Sequence, residues 1–381
     1  MGNKIKTVIA SVLKPVDDTR MYEKIGLSLQ QTNRYEVNII GFNSKNLPLS
    51  SEIVFHPLFS FSNMSWRRLF APLSILIHLL KIAPTLIIAT TFEVLVAAMA
   101  YKIICFDKDI KLVYDVRENY ALNLLTNKKN TFLIRLLAFG IRCIEKTSQS
   151  YISLNILAEK GYTKEISFFS KPSIVIPNAY KPCLELEFGA PDLPEKFRHK
   201  APKLVFNGTI SEIYGIRQTL NFANALSKHY PDLLLIIIGH VTDTNLLNHL
   251  LIETEAKENI YARINNTPLP HQEILKMVSI ADYGIVAHQP VESIRNCFPT
   301  RIFEYMALQK PFFLQDHAYW TNFCDPWKCA IKLDFNDFSS AGIAPRMRSS
   351  FYTHGTPKDI FWENYESLLI KSIDKVVGIN S

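Results

Sequence analysis

Along most of the chain, short uninterrupted apolar runs alternate with longer stretches in which apolar residues recur every three or four positions. KTVIASVL (6–13), PTLIIATT (84–91) and KLVYDV (111–116) show no regular alternation of polar and apolar residues, and YEVNIIGF (35–42) loses its alternation after Asn38. That is the pattern of strands buried on both faces, as in a parallel sheet covered by helices. Between them TRMYEKIGLSLQQ (19–31), SWRRLFAPLSILIHLLKI (65–82), FEVLVAAMAYKIICF (92–106) and a stretch near 129–148 predict helices. Asp17 or Asp18 is available to cap the first of these. SYISL (150–154) and SIVIPN (173–178) predict the strands that close the series.

Residues 181–202 interrupt the pattern with prolines and mixed charge and predict a linker. The alternation then restarts. KLVFNGTI (203–210), LLLIIIG (233–239), IYARI (260–264), YGIVAH (283–288) and PFFLQD (311–316) predict strands. Helical patterns separate them, near 215–230, 243–256, 271–280 and 300–309, and KDIFWENYESLLIKSIDKVV (358–377) predicts a last amphipathic helix. The expected architecture is α/β, with a doubly wound Rossmann-like domain over 1–180 and a second over 203–355. The segment 356–381 is expected to pack back on the first domain. Ligands of such a pair are expected at the carboxyl ends of the strands, in an inter-domain cleft.

Composition narrows the class. A chain of 381 residues exceeds one ordinary core, and 48% hydrophobic against 20% charged residues excludes a disordered chain. The net charge of +7 is uneven: residues 1–200 hold 26 Lys and Arg against 17 Asp and Glu, and the remainder 16 against 18. A basic first half points to an anionic partner. The basic positions Arg67, Arg68, Lys128, Lys129, Arg135 and Arg142, with Trp66 opening an apolar helix, suggest an anionic membrane surface. The most apolar region is broken by His78, Lys81, Pro84 and Glu93, and no run of about 20 apolar residues exists. No signal peptide is evident. We expect a cytoplasmic protein, peripheral at the inner face of the plasma membrane in one reading, with six reduced cysteines and no zinc site from the C-x₄-C of Cys324 and Cys329.

The chemistry concentrates in NCFPTRIFEYMALQKPF (296–312). Thr300 is placed to cap a helix whose free N–H groups favour an anion. Arg301 adds a planar fork suited to phosphate. Glu304, one turn on, can accept both protons of a vicinal diol, or serve as a capping-box partner. Phosphate beside a diol describes a nucleoside diphosphate.

PTRIFEYMALQKPF resembles the second half of the E-x₇-E segment of retaining glycosyltransferases of family 4, of the bacterial polysaccharide and glycan-assembly type, which have the GT-B fold. The resemblance implies that Glu304 holds the donor ribose and that Asn296, in place of the first Glu, meets the donor sugar. VFNGTISEIYGIRQTLNFANAL (205–226) is similar to the family's diphosphate-cradling segment, with Thr209 and Tyr214 where the family has Arg and Lys. Gly208 lets backbone approach phosphate, and Arg217 or Arg301 is expected to replace the lost charge. Gly239 ends a strand like the one that packs near the family's nucleotide base, and Phe298 and Thr300 complete the implied donor set. KLVYDVRENY (111–120) is similar to the family's strand ending in Asp-x-His-Glu. It implies Asp115 and Glu118 as catalytic groups, with Arg117 in place of the histidine. Asp18, Arg20 and Arg117 are the implied acceptor contacts, and Asn178 in VIPNAY (175–180) is expected to be structural.

The implied activity is transfer of a sugar from a nucleotide sugar to a glycan or lipid-linked acceptor, with retention and without metal or other cofactor. Nucleic acid is not an expected partner. A sugar-nucleotide epimerase on the same scaffold, or a nucleotide-sugar-binding protein without turnover, are the rival readings. The absence of G-x-G-x-x-G after any predicted strand argues against a dinucleotide enzyme. FDKDIK (106–111) contains Asp-x-Asp, but it lies at the wrong edge of the sheet for a metal site.

Overall fold

The computed structural model describes residues 4–44, 47, 52–60, 65–106, 109–127, 131–182, 192–292 and 294–379. Asp107 of the Asp-x-Asp segment, Lys128, Lys129 and Cys183 lie outside the described residues. The chain divides into two compact units, Met1–Lys181 with Trp362–Ser381, and Pro182–Phe361.

The first unit holds a seven-stranded parallel sheet. Its strands are β1 Ile5–Pro15, β2 Tyr35–Phe42, β3 Val54–Phe59, β4 Leu86–Ala89, β5 Lys111–Val116, β6 Leu154–Leu157 and β7 Ser173–Val175, in the order β3-β2-β1-β4-β5-β6-β7. The strands in the middle are buried on both faces: β4 is buried throughout, and Leu112 to Val116 of β5 likewise. An apolar run, unbroken in β4 and interrupted in β5 by Asp115, therefore replaces the period-two pattern of a half-solvated sheet. β3 escaped the sequence reading because VFHPLF is mixed in polarity and contains Pro57; it lies at an edge, where proline is tolerated. The strand expected at 150–154 forms later, at Leu154–Leu157. The helix expected over 19–31 opens as a π-helical segment, Arg20–Gly26, before the α-helix Leu27–Gln31.

The chain re-enters this unit at its end. Trp362, Leu369 and Ile373 are fully buried in the same core as Ile9, Ile25 and Ile39. Burying side chains of this kind contributes about 1.5–3 kcal/mol each. The Trp362 indole N–H donates to Ser28 Oγ at 3.1 Å, and Arg34 pairs with Asp374 at 2.9 Å. The helix Glu363–Val377 is thus tied to the first unit by packing and by charge.

The second unit holds six parallel strands: β8 Lys203–Thr209, β9 Leu234–His240, β10 Ile260–Asn265, β11 Tyr283–Val286, β12 Phe312–Gln315 and β13 Ala330–Leu333, in the order β10-β9-β8-β11-β12-β13. In each unit the first strand lies between neighbours reached in opposite directions, β1 between β2 and β4, β8 between β9 and β11. The loops leaving the strands diverge at such a point and open a crevice at the carboxyl edge.

Candidate functional site

In the second unit the crevice is built by close approach of backbone. Gly215, the residue before the helix Ile216–Leu226, has φ +84°, and a Cβ there would stand 1.9 Å from the Ala287 carbonyl oxygen. Only glycine lets the helix start close against the end of β11. Gly239 meets the Gly208 carbonyl so closely that a Cβ would be 1.8 Å from it. Gly239 is therefore a packing position between β8 and β9.

Arg301, in the helix Thr300–Ala307, lies beside this turn. Its side chain is buried, its Nη2 donates to the Thr209 carbonyl at 3.1 Å, and its guanidinium lies 4.4 Å from the centre of the Phe206 ring. A Cβ on Gly208 would stand 3.8 Å from Nη2. Nη1 is buried and has no hydrogen-bond partner. Burial pushes the guanidinium below its ordinary pKa, and Tyr305 and Glu304 oppose this only in part. A buried cation with an unused N–H next to a glycine turn is a receptive place for an anion.

Glu304 is held in a polar chain. The Tyr305 hydroxyl donates to Asn207 Oδ1 at 2.6 Å, Asn207 Nδ2 donates to Glu304 Oε2 at 2.7 Å, and His271 Nε2 bonds Oε1 at 3.0 Å. Burial would raise the Glu304 carboxyl, but the bond from His271, its charge, the Asn207 amide and Arg301 hold it below its ordinary value. Each oxygen keeps a second lone pair for a ligand hydroxyl. The capping role is excluded: Pro299 precedes the helix, Thr300 is its first residue, and no side chain caps it.

His288, at the end of β11, completes the crevice. It is buried, its ring lies 4.8 Å from that of Tyr214 and 5.9 Å from that of Trp320, and its Nδ1 has no partner. Burial, then Arg301, hold its pKa well below the usual histidine value. It is a neutral ring beside a cation.

Two expected contacts lie elsewhere. Arg217 is neutralised at the surface by Glu253 at 2.7 Å and Glu212 at 3.2 Å, so the charge at the turn comes from Arg301 alone of the two. Phe298 is stacked on Phe303 at 4.8 Å and packs against Phe323, inside an aromatic cluster. Asn296 sits in an exposed turn eight residues before Glu304.

In the first unit four predicted residues converge at the ends of β1 and β5. Arg20 grips Asp115 with two arms, Nε to Oδ2 at 2.9 Å and Nη2 to Oδ1 at 2.7 Å, and its Nη1 donates to Asn178 Oδ1 at 2.9 Å. Arg117 pairs with Asp18 and lies 3.4 Å from Asp115 Oδ2. Burial opposes ionisation of Asp18, yet Arg117 and Lys14 hold its pKa below the usual value. Asp115 is wholly buried, so the expectation of a substrate-facing carboxylate is corrected: it is the anionic centre that holds two guanidiniums. Asp18 and Arg20 are likewise committed to protein partners, and Arg117 retains one buried N–H without a partner. Glu118 is the accessible carboxylate here, its side chain 41% exposed, bonded by Asn123 at 3.2 Å and 3.9 Å from Lys14.

Asn207, His271, His288 and Tyr305 were not singled out by sequence. Asn207 precedes the glycine turn and His288 ends a predicted strand, which are the only local signals; His271 reaches Glu304 from a helix that spacing alone does not connect to it. Among the described residues no group of three or more His, Cys, Asp or Glu could hold a metal ion, and Cys105, Cys143, Cys297, Cys324 and Cys329 are free thiols.

No protein-family model matches the sequence, and no curated protein matches it significantly. Solved structures do match the fold. The sucrose-phosphate synthase of Thermosynechococcus elongatus is similar with a TM-score of 0.66 at 12% identity, over 99% of this chain and 100% of that one. The UDP-forming α,α-trehalose-phosphate synthase of Burkholderia vietnamiensis gives 0.67 at 9% identity, over 99% and 100%. The catalytic domain of starch synthase IV from Arabidopsis thaliana, bound to ADP and acarbose, gives 0.62 at 11% identity, over 99% and 100%. At such identities the likeness is one of fold: the chain has the GT-B fold, two Rossmann-like units each with a parallel sheet.

Proposed function

We propose that the chain is a glycosyltransferase that moves a sugar from a nucleoside diphosphate to a glycan or lipid-linked acceptor, with retention of configuration. The observation that carries this is Arg301: buried, beside the Gly208 turn, with an N–H left unpaired. The diphosphate would take that N–H and the free N–H groups at the start of the helix Thr300–Ala307. Glu304, its orientation fixed by Asn207 and His271, would hold the ribose hydroxyls. Asn296, through an amide that both donates and accepts, would meet the sugar. Arg301 and the helix N–H groups supply the positive charge that the departing diphosphate needs, so the scheme calls for no metal at this point. The bond from the anomeric carbon to phosphate breaks as the bond to the acceptor oxygen forms, and the acceptor proton passes to the phosphate oxygen. In the first unit Glu118 is the carboxylate open to an acceptor, on a frame set by Asp18, Arg20, Asp115 and Arg117.

The GT-B neighbours support this reading, since they include a UDP-forming synthase and a synthase bound to ADP. The test begins with thermal unfolding in the presence of UDP, ADP, GDP and their sugars. A ligand at 100 times its Kd stabilises by about 2.7 kcal/mol. Glu304→Gln should weaken the preferred nucleoside diphosphate about tenfold or more, since hydrogen bonds to a charged group are worth about 1.5–3 kcal/mol. Unchanged affinity would sink the ribose assignment. Binding followed by neither transfer nor donor hydrolysis would replace the enzyme by a binding protein, and an epimerised donor would replace the transferase.

A further inference from the structure

The first unit carries more exposed apolar side chains than its fold requires. In the helix Ala71–Ile82, Ala71, Ile75 and Leu79 are buried. Leu73, Ile77 and Leu80 face solvent, and Leu69 and Phe70 of the 3₁₀ turn Trp66–Phe70 extend that outer stripe. The helix Phe132–Ser148 repeats this: Ala138 and Ile141 face inward, while Phe132, Leu133, Leu136, Leu137 and Phe139 are exposed. Between them packs the helix Phe92–Cys105, whose end exposes Ile103, Ile104 and, just past it, Phe106. Leu69, Phe132 and Phe106 keep 80%, 82% and 91% of their surface in water. A helix apolar on its inner and outer faces is one that something else covers. The second unit differs: its exposed large hydrophobics among the described residues are Leu251, Ile252 and Tyr319.

Charge identifies the cover. The three helices with the Trp66–Phe70 turn hold seven Lys and Arg against two acids, Glu93 and Glu145. Both acids are buried, and they pair with Arg68 and Arg142. The charge these elements turn outward, beside the apolar side chains, is therefore positive. A bilayer with anionic headgroups accepts both at once, acyl chains taking the apolar side chains and phosphates the cations. Position agrees. The helix Phe132–Ser148 spans about 25 Å and leads within six residues into β6. Its exposed first half thus stands at the carboxyl edge of the sheet, where Trp66 also begins its helix and where Asp18, Arg20, Arg117 and Glu118 lie.

We propose that this face docks the chain on an anionic lipid surface through the helices Ala71–Ile82 and Phe132–Ser148. With the transferase reading, on which this second step rests, the acceptor is a lipid-linked one presented to the adjacent Glu118 edge. The docking itself stands without that reading.

The test is flotation with vesicles of phosphatidylcholine alone and of phosphatidylcholine with phosphatidylglycerol in equal parts. The wild-type chain should float with the mixed vesicles, and salt should release it only in part, because apolar insertion is not screened. The pairs Leu69→Glu with Leu73→Glu and Leu133→Glu with Leu137→Glu should each lower partition at least about tenfold, without changing nucleoside diphosphate binding. If either pair fails to fold, brominated acyl chains provide the second readout: they should quench wild-type tryptophan emission, and Trp66→Phe should abolish the quenching. Failure of the wild type to float with either vesicle overturns the proposal. So does flotation that survives both pairs, or a dimer in solution that both pairs dissociate, which would assign the face to a second copy. A chain that floats yet binds no nucleotide would overturn the transferase reading and leave the docking intact.

Discussion

Arg20 and Arg301 are both buried guanidiniums near the carboxyl ends of strands, 3% and 6% exposed, one in each unit. Arg20 is fully answered by the protein, with both arms on Asp115 and a third bond to Asn178. Arg301 meets one carbonyl and one aromatic face, and one of its nitrogens has nothing. Taking a guanidinium out of water costs several kcal/mol, which good pairing offsets and poor pairing does not. The paired arginine belongs to the frame. The unpaired one stores a cost that an anionic ligand would relieve. Exposure alone would not have separated them; the count of partners does.

The largest effect comes from breaking the answered pair. Asp115→Asn removes the charge that faces both Arg20 and Arg117, leaving Asp18 as the remaining anion of the four. Removing one partner of a buried pair costs about 3–5 kcal/mol. Urea unfolding should show a loss of that size, while nucleoside diphosphate affinity, which the proposed function assigns to the second unit, should not move. A loss under about 1 kcal/mol would mean that Asp115 is not the anchor of the cluster.

Arg301→Met should act with the opposite signature. Methionine keeps an apolar contact with Phe206 and removes a poorly paired charge, so the ligand-free protein should be no less stable. Affinity for the preferred nucleoside diphosphate should fall about tenfold to a hundredfold, the equivalent of one charge-assisted bond. The nucleoside without phosphates should bind as before. Calorimetric titration and unfolding of the same preparations check both halves. A clear loss of ligand-free stability would put Arg301 beside Arg20 as a structural residue.

Much of the fold was legible because burial on both faces leaves so plain a trace. β4 is apolar throughout and β9 as far as Gly239, and runs this short bounded by turn residues read as buried strands. Of the four edge strands, β7 and β10 were legible but β3 and β13 were not, since one-sided pairing relaxes the demand for apolar residues, admitting Pro57 in β3 and the exposed Lys332 in β13. Within the site, Arg301 and Glu304 were visible because both belong to one helix start. The partners that orient them were not. Asn207 is 97 positions from Glu304 and His271 is 33, and these contacts exist only once β8 and the helix His271–Ile280 are brought to one place. Arg217 shows the converse: its position suggested a phosphate contact, and Glu253, 36 residues away, takes it instead.

The smallest effect sharpens the comparison most finely, because it reads the field of Arg301 without touching it. His288 is enclosed by the Tyr214 and Trp320 rings and faces the Arg301 cation. Burial first, and Arg301 second, make its protonation harder in the folded chain than the ordinary histidine value of 6.5. The unfolded chain then binds a proton that the folded chain refuses. Stability from this group is therefore complete above pH 6.5 and drains away as pH falls below it, toward the depressed folded value. Between pH 7 and pH 6 that amounts to about 0.7 kcal/mol for one such histidine. His288→Gln should remove this increment, so that unfolding curves of wild type and variant converge by that amount as pH drops from 7 to 6. Saturating nucleoside diphosphate, by setting negative charge against Arg301, should ease protonation of His288 and shrink the wild-type increment as well. A variant with the same pH dependence as wild type would show that His288 takes its proton freely in the folded chain, and the crevice would then not be the closed, positively biased place that an unpaired Arg301 requires.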